Sequence, residues 1–228
     1  MCFSATASFI GAGVVGAAGI GTLAMVRRPR EIAFASVPLI FAVHQALEGL
    51  TWVALNNNPS GQLTGCGVHG WVFIAWAFLP AFIPWAVWLM EPDPVRRKWM
   101  WIPMVVGWAT GAFMMIQVFR PDIYVQIVGN NLDYHMGPGG SVWVLPPYIF
   151  ATCVAPMMSS YVYTIVMGAA NVVALTTAAI MRAADFSSLW CTFAAFISII
   201  IFVHFLDARR SGKERRVKPW KEHRKQVP

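Results

Sequence analysis

The 228-residue sequence is 57% hydrophobic and only 12% charged, with 11 Trp, 15 Phe and a formal net charge of +7. A soluble domain carries roughly a quarter of its residues as charges, so a water-facing globule is excluded. Apolar stretches of about 20 residues recur along the chain, each long enough to cross ~30 Å of hydrocarbon as a helix.

The chain opens uncharged at Met1-Cys2-Phe3-Ser4 and reaches its first positive charges only after an apolar run. That order is the reverse of a cleavable signal peptide. It predicts a retained first helix over Ser4 to Val26, with the N-terminus outside. Gly11, Gly13, Gly16, Gly19 and Gly21 make this helix a packing surface, since small residues let helices approach closely in lipid. The second helix is expected over Ala33 to Leu55, ended by Asn56-Asn57-Asn58-Pro59-Ser60-Gly61. The third runs from His69 to Met90, with a kink or local unwinding at Pro80 and Pro84. The fourth covers Trp99 to Phe119, and a long connection follows from Arg120 to Val144. The fifth begins near Pro146-Pro147 and ends near Ser159-Ser160. The sixth covers Thr164 to Met181, and the seventh Phe186 to Leu206. Leu145 to Met181 is barely long enough for two crossings.

Charge placement fixes the expected orientation. Arg27, Arg28, Arg30, Arg96, Arg97, Lys98 and nine tail residues fall on one side, leaving only Arg120 and Arg182 of the 17 Lys and Arg. By the positive-inside rule that side is cytoplasmic. The expected fold is therefore an all-α polytopic transmembrane bundle of about seven helices over residues 1–207, with a basic cytoplasmic tail over 208–228. Membrane lipids are the expected partners of the positive charge. Nucleic acid is not, because the charges flank hydrophobic runs and no base-stacking module accompanies them.

An ionisable residue inside a membrane is costly and marks a functional hypothesis. The predicted helices hold few: His44, Glu48 and His204, with His69 at a boundary. His44 and Glu48 are four apart and share a helix face. Rise per residue puts His44 near the bilayer centre and Glu48 about one turn further out. Cys2 and Cys191 come out at a similar depth to Glu48, with His135 in the outer loop above. Thiolate, imidazole and carboxylate are the ligand set of zinc or copper. Cys2, His44, Glu48, Cys191 and His135 are thus the candidate metal ligands. Three other readings stand beside this one: a structural His–Glu clasp, a Cys2–Cys191 disulfide, and a haem held by His44 and a second histidine. Cys66 and His69, spaced C-x-x-H, form a possible second half-site, whereas Cys153 reads as a small apolar filler and His204 as a residue reaching the inner interface. A retinal protein is excluded, because no Lys falls within a helix. There is also no phosphate-binding loop, dinucleotide fingerprint or nucleophile elbow.

The opening Met1-Cys2-Phe3-Ser4-Ala5-Thr6-Ala7-Ser8-Phe9 resembles the start of an uncharacterised family of small bacterial membrane proteins. His44-Gln45-Ala46-Leu47-Glu48-Gly49 and Trp190-Cys191-Thr192-Phe193-Ala194-Ala195 resemble two further motifs of that family, and His204 matches its helix-seven histidine. The resemblance implies the same multi-helix fold, and it implies no activity.

Three functions are compatible with these features. The first is a bacterial inner-membrane protein with a polar transition-metal or redox site in the outer half of the bundle. The second is a non-enzymatic accessory or assembly subunit of a larger membrane complex. The third is a proton or small-solute transporter using Glu48 and His44 as a relay.

Overall fold

The computed structural model describes residues 4–57, 62–120, 123–129, 131–135, 142–181 and 186–217. Within these residues, six helices are long and apolar enough to cross a membrane: α1 (Ala5–Leu23), α2 (Pro29–Asn57), α3 (Thr64–Met90), α4 (Pro94–Val118), α6 (Val162–Met181) and α7 (Ser188–Ser211). A shorter apolar helix, α5 (Leu145–Met157), lies between α4 and α6. The protein is an all-α integral membrane protein in architecture. At 1.5 Å per residue, α5 is only about 20 Å long, short of a full crossing.

Three helix starts precede the predicted ones. A 3-10 turn at Pro29–Glu31 leads into α2, α3 is already helical at Thr64, and α4 begins at Pro94. Two of these starts have a local cause. Pro29 and Pro94 occupy first-turn positions where a missing N–H costs nothing. The Asp93 side chain accepts from the N–H groups of Val95 and Arg96. The last helix passes Leu206 and stops at Ser211, where Gly212 takes the left-handed conformation (φ 67°) that a C-terminal cap requires.

Small residues set the helix contacts. An added Cβ at Gly19 would lie 2.7 Å from the Leu39 backbone nitrogen, and one at Gly16 would touch Ala42. The glycine face of α1 therefore packs on α2, as expected from its composition. A second close approach joins α3 and α4. Added Cβ atoms at Gly107 and Gly111 would strike the carbonyl oxygens of Pro80 and Ala77.

The unwinding expected at Pro80 takes the form of a π-helical segment, Phe73–Phe78, immediately before the proline. A matching segment, Phe150–Val154, precedes Pro156 in α5. Proline lacks an N–H and clashes with the carbonyl four residues back, and a widened turn relieves both problems. The Tyr148 hydroxyl donates to the Ala75 carbonyl (2.5 Å), tying one widened region to the other.

The connection from Arg120 to Val144 is more than a loop. It contains an antiparallel hairpin, β1 (Tyr124–Val128) and β2 (Asn131–His135), in which Tyr124 faces His135 and Val128 faces Asn131. Val125, Ile127 and Val128 favour the first strand, and Gly129 at φ 61° makes the turn.

The opposite, arginine-rich end is closed by a buried polar clasp. Glu91 (1% exposed) accepts from Ser159 Oγ at 3.0 Å, the Ser160 N–H at 2.8 Å and the Asp93 N–H at 3.0 Å. Arg96 donates to the carbonyls of Met158 and Ser159. These bonds carry the end of α5 to the α3–α4 turn. The residues after α7 fold back beside it: Val162 N–H donates to Arg215 O, and Val217 N–H to Ser160 O.

Candidate functional site

The polar residues of the α2 face cluster toward the hairpin end. His44 and Glu48 are both fully buried, and Gln45 is 1% exposed. Their i, i+4 spacing aims the imidazole and the carboxylate the same way, into the bundle. From the facing helix α7, Ser188 Oγ donates to Glu48 Oε1 at 2.5 Å.

An aromatic stack closes the site. The His44 ring lies 4.8 Å from Trp71 of α3, and Trp71 in turn stacks on Tyr134 of β2 at 3.8 Å and 7°. Phe41 meets the other side of His44 edge-on. Trp71 is fully buried, and the hairpin covers this end of the bundle with Leu132 and Tyr134, both buried in its core. The Trp71 indole N–H lies toward the Glu48 carboxylate without closing a hydrogen bond of ordinary geometry.

The site keeps unused bonding capacity. Both ring nitrogens of His44, both amide atoms of Gln45 and Glu48 Oε2 have no hydrogen-bond partner of ordinary geometry among the described residues. A polar group buried unpaired costs several kcal/mol in a hydrocarbon setting, roughly 2–7 by transfer. Lone pairs from an imidazole, an amide and a carboxylate on one helix face form a donor set able to hold a cation or a proton.

The five predicted ligands are not brought together equally. His44 and Glu48 sit side by side. Cys191 is on α7, one turn from Ser188, but it lines a small internal cavity of about 40 Å³ with Cys153, Tyr148 and Phe41. His135 sits on the strand face opposite Tyr134, since alternate strand residues point to opposite faces. There its Nε2 pairs with Asp133 at 2.8 Å and meets the Gln126 amide at 2.9 Å, and its ring stacks on Tyr124. Cys2 lies outside the described residues, and with it the Cys2–Cys191 disulfide. In the suggested second half-site, His69 Nδ1 turns back to the Gly65 carbonyl at 2.9 Å, and Cys66 is exposed. Among the described residues, no group of three His, Cys, Asp or Glu is placed to hold a metal.

Sequence reasoning missed Gln45, Ser188, Trp71 and Tyr134. Ser188 carried a readable signal, being a hydroxyl three residues before Cys191 on the same helix face. The stacking of Trp71 between a strand and a helix carried none.

A family model matches residues 1–217, and so takes in every residue of this site. The chain belongs to DUF6629, a family of unknown function. No curated protein and no solved structure matches it. Membership agrees with the uncharacterised family that the sequence resembles, and the site's chemistry must be argued from its own residues.

Proposed function

We propose that this DUF6629 protein holds a transition-metal ion, copper or zinc, in a closed polar site near the hairpin end of its bundle. His44 and Glu48 are the ligands from α2, and Cys2 is the third. Cys191 stands one turn away on α7. The observation that carries the reading is the fully buried His44–Glu48 pair, whose ring nitrogens and Oε2 have no hydrogen-bond partner of ordinary geometry among the described residues. An imidazole nitrogen and a carboxylate oxygen suit either metal, and a thiolate would strengthen the preference. Ser188, bonded to Glu48 Oε1, would act as the outer group that orients a ligating carboxylate. The Tyr134–Trp71 stack would exclude water.

The proposed setting is the bacterial cytoplasmic membrane, with the hairpin outside and the arginine-rich end in the cytoplasm. The one-sided placement of Lys and Arg supports that orientation.

The test is metal analysis of protein purified in detergent without added chelator. Near-stoichiometric copper or zinc is expected in the native chain, with most of it lost in Cys2→Ala, His44→Ala and Glu48→Gln. A native protein that carries neither metal, takes up neither on titration and melts like its Cys2→Ala and Glu48→Gln variants would sink the proposal.

A further inference from the structure

A second polar cavity lies at the other end of the molecule and plays no part in the proposed metal site. Its volume is about 130 Å³. One wall is the α1–α2 turn, with Arg27, Arg28 and Glu31. The other is the last two turns of α7, which present His204 and Arg209 around the small Ala208. Glu214, just beyond α7, completes the rim.

The charges in this cavity are not evenly matched. Glu31 Oε2 accepts from the N–H groups of Arg27 and Arg28, at 3.1 and 3.2 Å. Glu31 Oε1 faces the Arg28 guanidinium at 3.8 Å, and the same guanidinium lies 3.7 Å from Glu214 Oε1. Glu214 Oε2 is bound by Arg216 and accepts from the Tyr161 hydroxyl at 3.4 Å. Both glutamates are therefore already neutralised by Arg28 and Arg216. Arg27 and Arg209 line the same cavity, and neither makes an ion pair among the described residues. In the same cavity His204 is 3% exposed, and its Nδ1 has no hydrogen-bond partner among the described residues.

We propose that this cavity binds a phosphate group, gripped by the Arg27 and Arg209 guanidiniums with the His204 imidazole at its floor. Guanidinium forks match phosphate oxygens in a bidentate manner, and such charge-assisted bonds are the strong ones. The location fits as well. α1 ends at Leu23, and the apolar part of α7 ends at Leu206, so the cavity opens where the hydrocarbon-spanning segments stop. Lipid phosphates lie at that level, and basic pockets between helix ends take anionic headgroups. A soluble phosphate offers the same chemistry from the aqueous side.

The experiment uses the full chain purified in detergent. It is equilibrated with vesicles of phosphatidylglycerol or of phosphatidylcholine, and retained lipid is counted by native mass spectrometry. In a parallel arm the melting temperature is followed with added inorganic phosphate. One tightly retained phosphatidylglycerol is expected on the native chain. Its retention should fall about tenfold or more in the Arg27→Gln/Arg209→Gln double variant. It should stay unchanged in Arg97→Gln, whose guanidinium lies over the Trp88 ring at the same end of the molecule. Both substituted arginines of the double variant are exposed, so its fold should survive, and its native melting temperature without ligand checks this. If inorganic phosphate raises the melting temperature and the double variant abolishes the rise, the phosphate comes from solution. If only phosphatidylglycerol is retained, it comes from the membrane. Equal retention of both lipids together with no rise in melting temperature on adding inorganic phosphate, or a double variant that responds like the native chain in both arms, overturns the proposal.

Discussion

Two buried glutamates, at opposite ends of the bundle, differ in how their bonds are closed. Glu91 accepts three hydrogen bonds, all from its own chain, and both its oxygens are used. Among the described residues Glu48 accepts one of ordinary geometry, from Ser188, and its second oxygen lies beside a histidine and a glutamine that likewise lack such a partner. Both carboxylates are essentially inaccessible, at 1% and 0% exposure, so burial does not separate them. Completeness of bonding does. A buried carboxylate whose lone pairs are matched by local donors holds the α3–α4 turn to the end of α5. One left partly open keeps capacity for a ligand.

The largest effect should come from breaking the closed end. Glu91→Ala leaves the Ser159 hydroxyl and the Ser160 N–H buried, and the Asp93 N–H half-buried, without an acceptor. The expected loss is about 3–5 kcal/mol, read as a large drop in melting temperature in detergent. Glu48→Gln is the matching change at the open end. In metal-depleted protein it should shift stability by less than about 1 kcal/mol, because the amide keeps the shape and removes a buried charge. In protein loaded with copper or zinc it should abolish the stabilisation that the metal confers. An equally severe loss in the depleted state would erase the distinction between the two glutamates.

The cover of the open end can be tested separately. Tyr134→Leu removes the stack on Trp71 while keeping an apolar side chain. It should cost about 0.5–1.5 kcal/mol, with faster hydrogen exchange confined to the hairpin amides. The smallest expected effect is at the returning segment beside the closed end. There burial, followed by the nearby Glu214 charge, pushes the Tyr161 hydroxyl up to about 12, so it stays protonated and able to donate at neutral pH. Burial works against ionisation of Glu214, but the Arg216 hydrogen bond and the Arg216 and Arg28 charges outweigh it and hold the carboxyl below its ordinary range. A lowered folded value contributes stability above the unfolded value, and this is lost as pH falls through the folded one. Protection of the Val162 and Val217 amides, corrected for intrinsic rates, should therefore decline only below the usual carboxylate range. In Glu214→Gln the decline should be absent and the protection lower throughout.

Much of the fold was legible because it rests on composition. Apolar runs between charged turns locate the spans, since hydrocarbon leaves a helix as the way to satisfy the backbone within one segment. The glycines of α1 signalled its close packing, and the α1–α2 contact at Gly19 agrees. The hairpin was overlooked even though Asn131 to His135 alternates polar and apolar residues as a strand does. Its strands are five residues each and sit inside a connection of some two dozen, where helix-scale periodicity gives no signal. At the candidate site, the His44–Glu48 face followed from four-residue spacing. The position of His135 did not, because the sequence suggests a loop above the cluster, whereas the residue sits on a strand face turned away from Tyr134 and pairs with Asp133.

The sequence by itself determined that the protein is helical and membrane-embedded, that its positive charge gathers at one end, and that His44 and Glu48 share a buried face. Those properties depend on local spacing and on the transfer of side chains into hydrocarbon. Tertiary structure alone decided that Ser188 meets Glu48, that Tyr134 and Trp71 cap His44, and that Glu91 is fully bonded whereas Glu48 is not. These outcomes depend on which helices and strands become neighbours across separations such as the 140 residues between Glu48 and Ser188, and no local pattern encodes that choice.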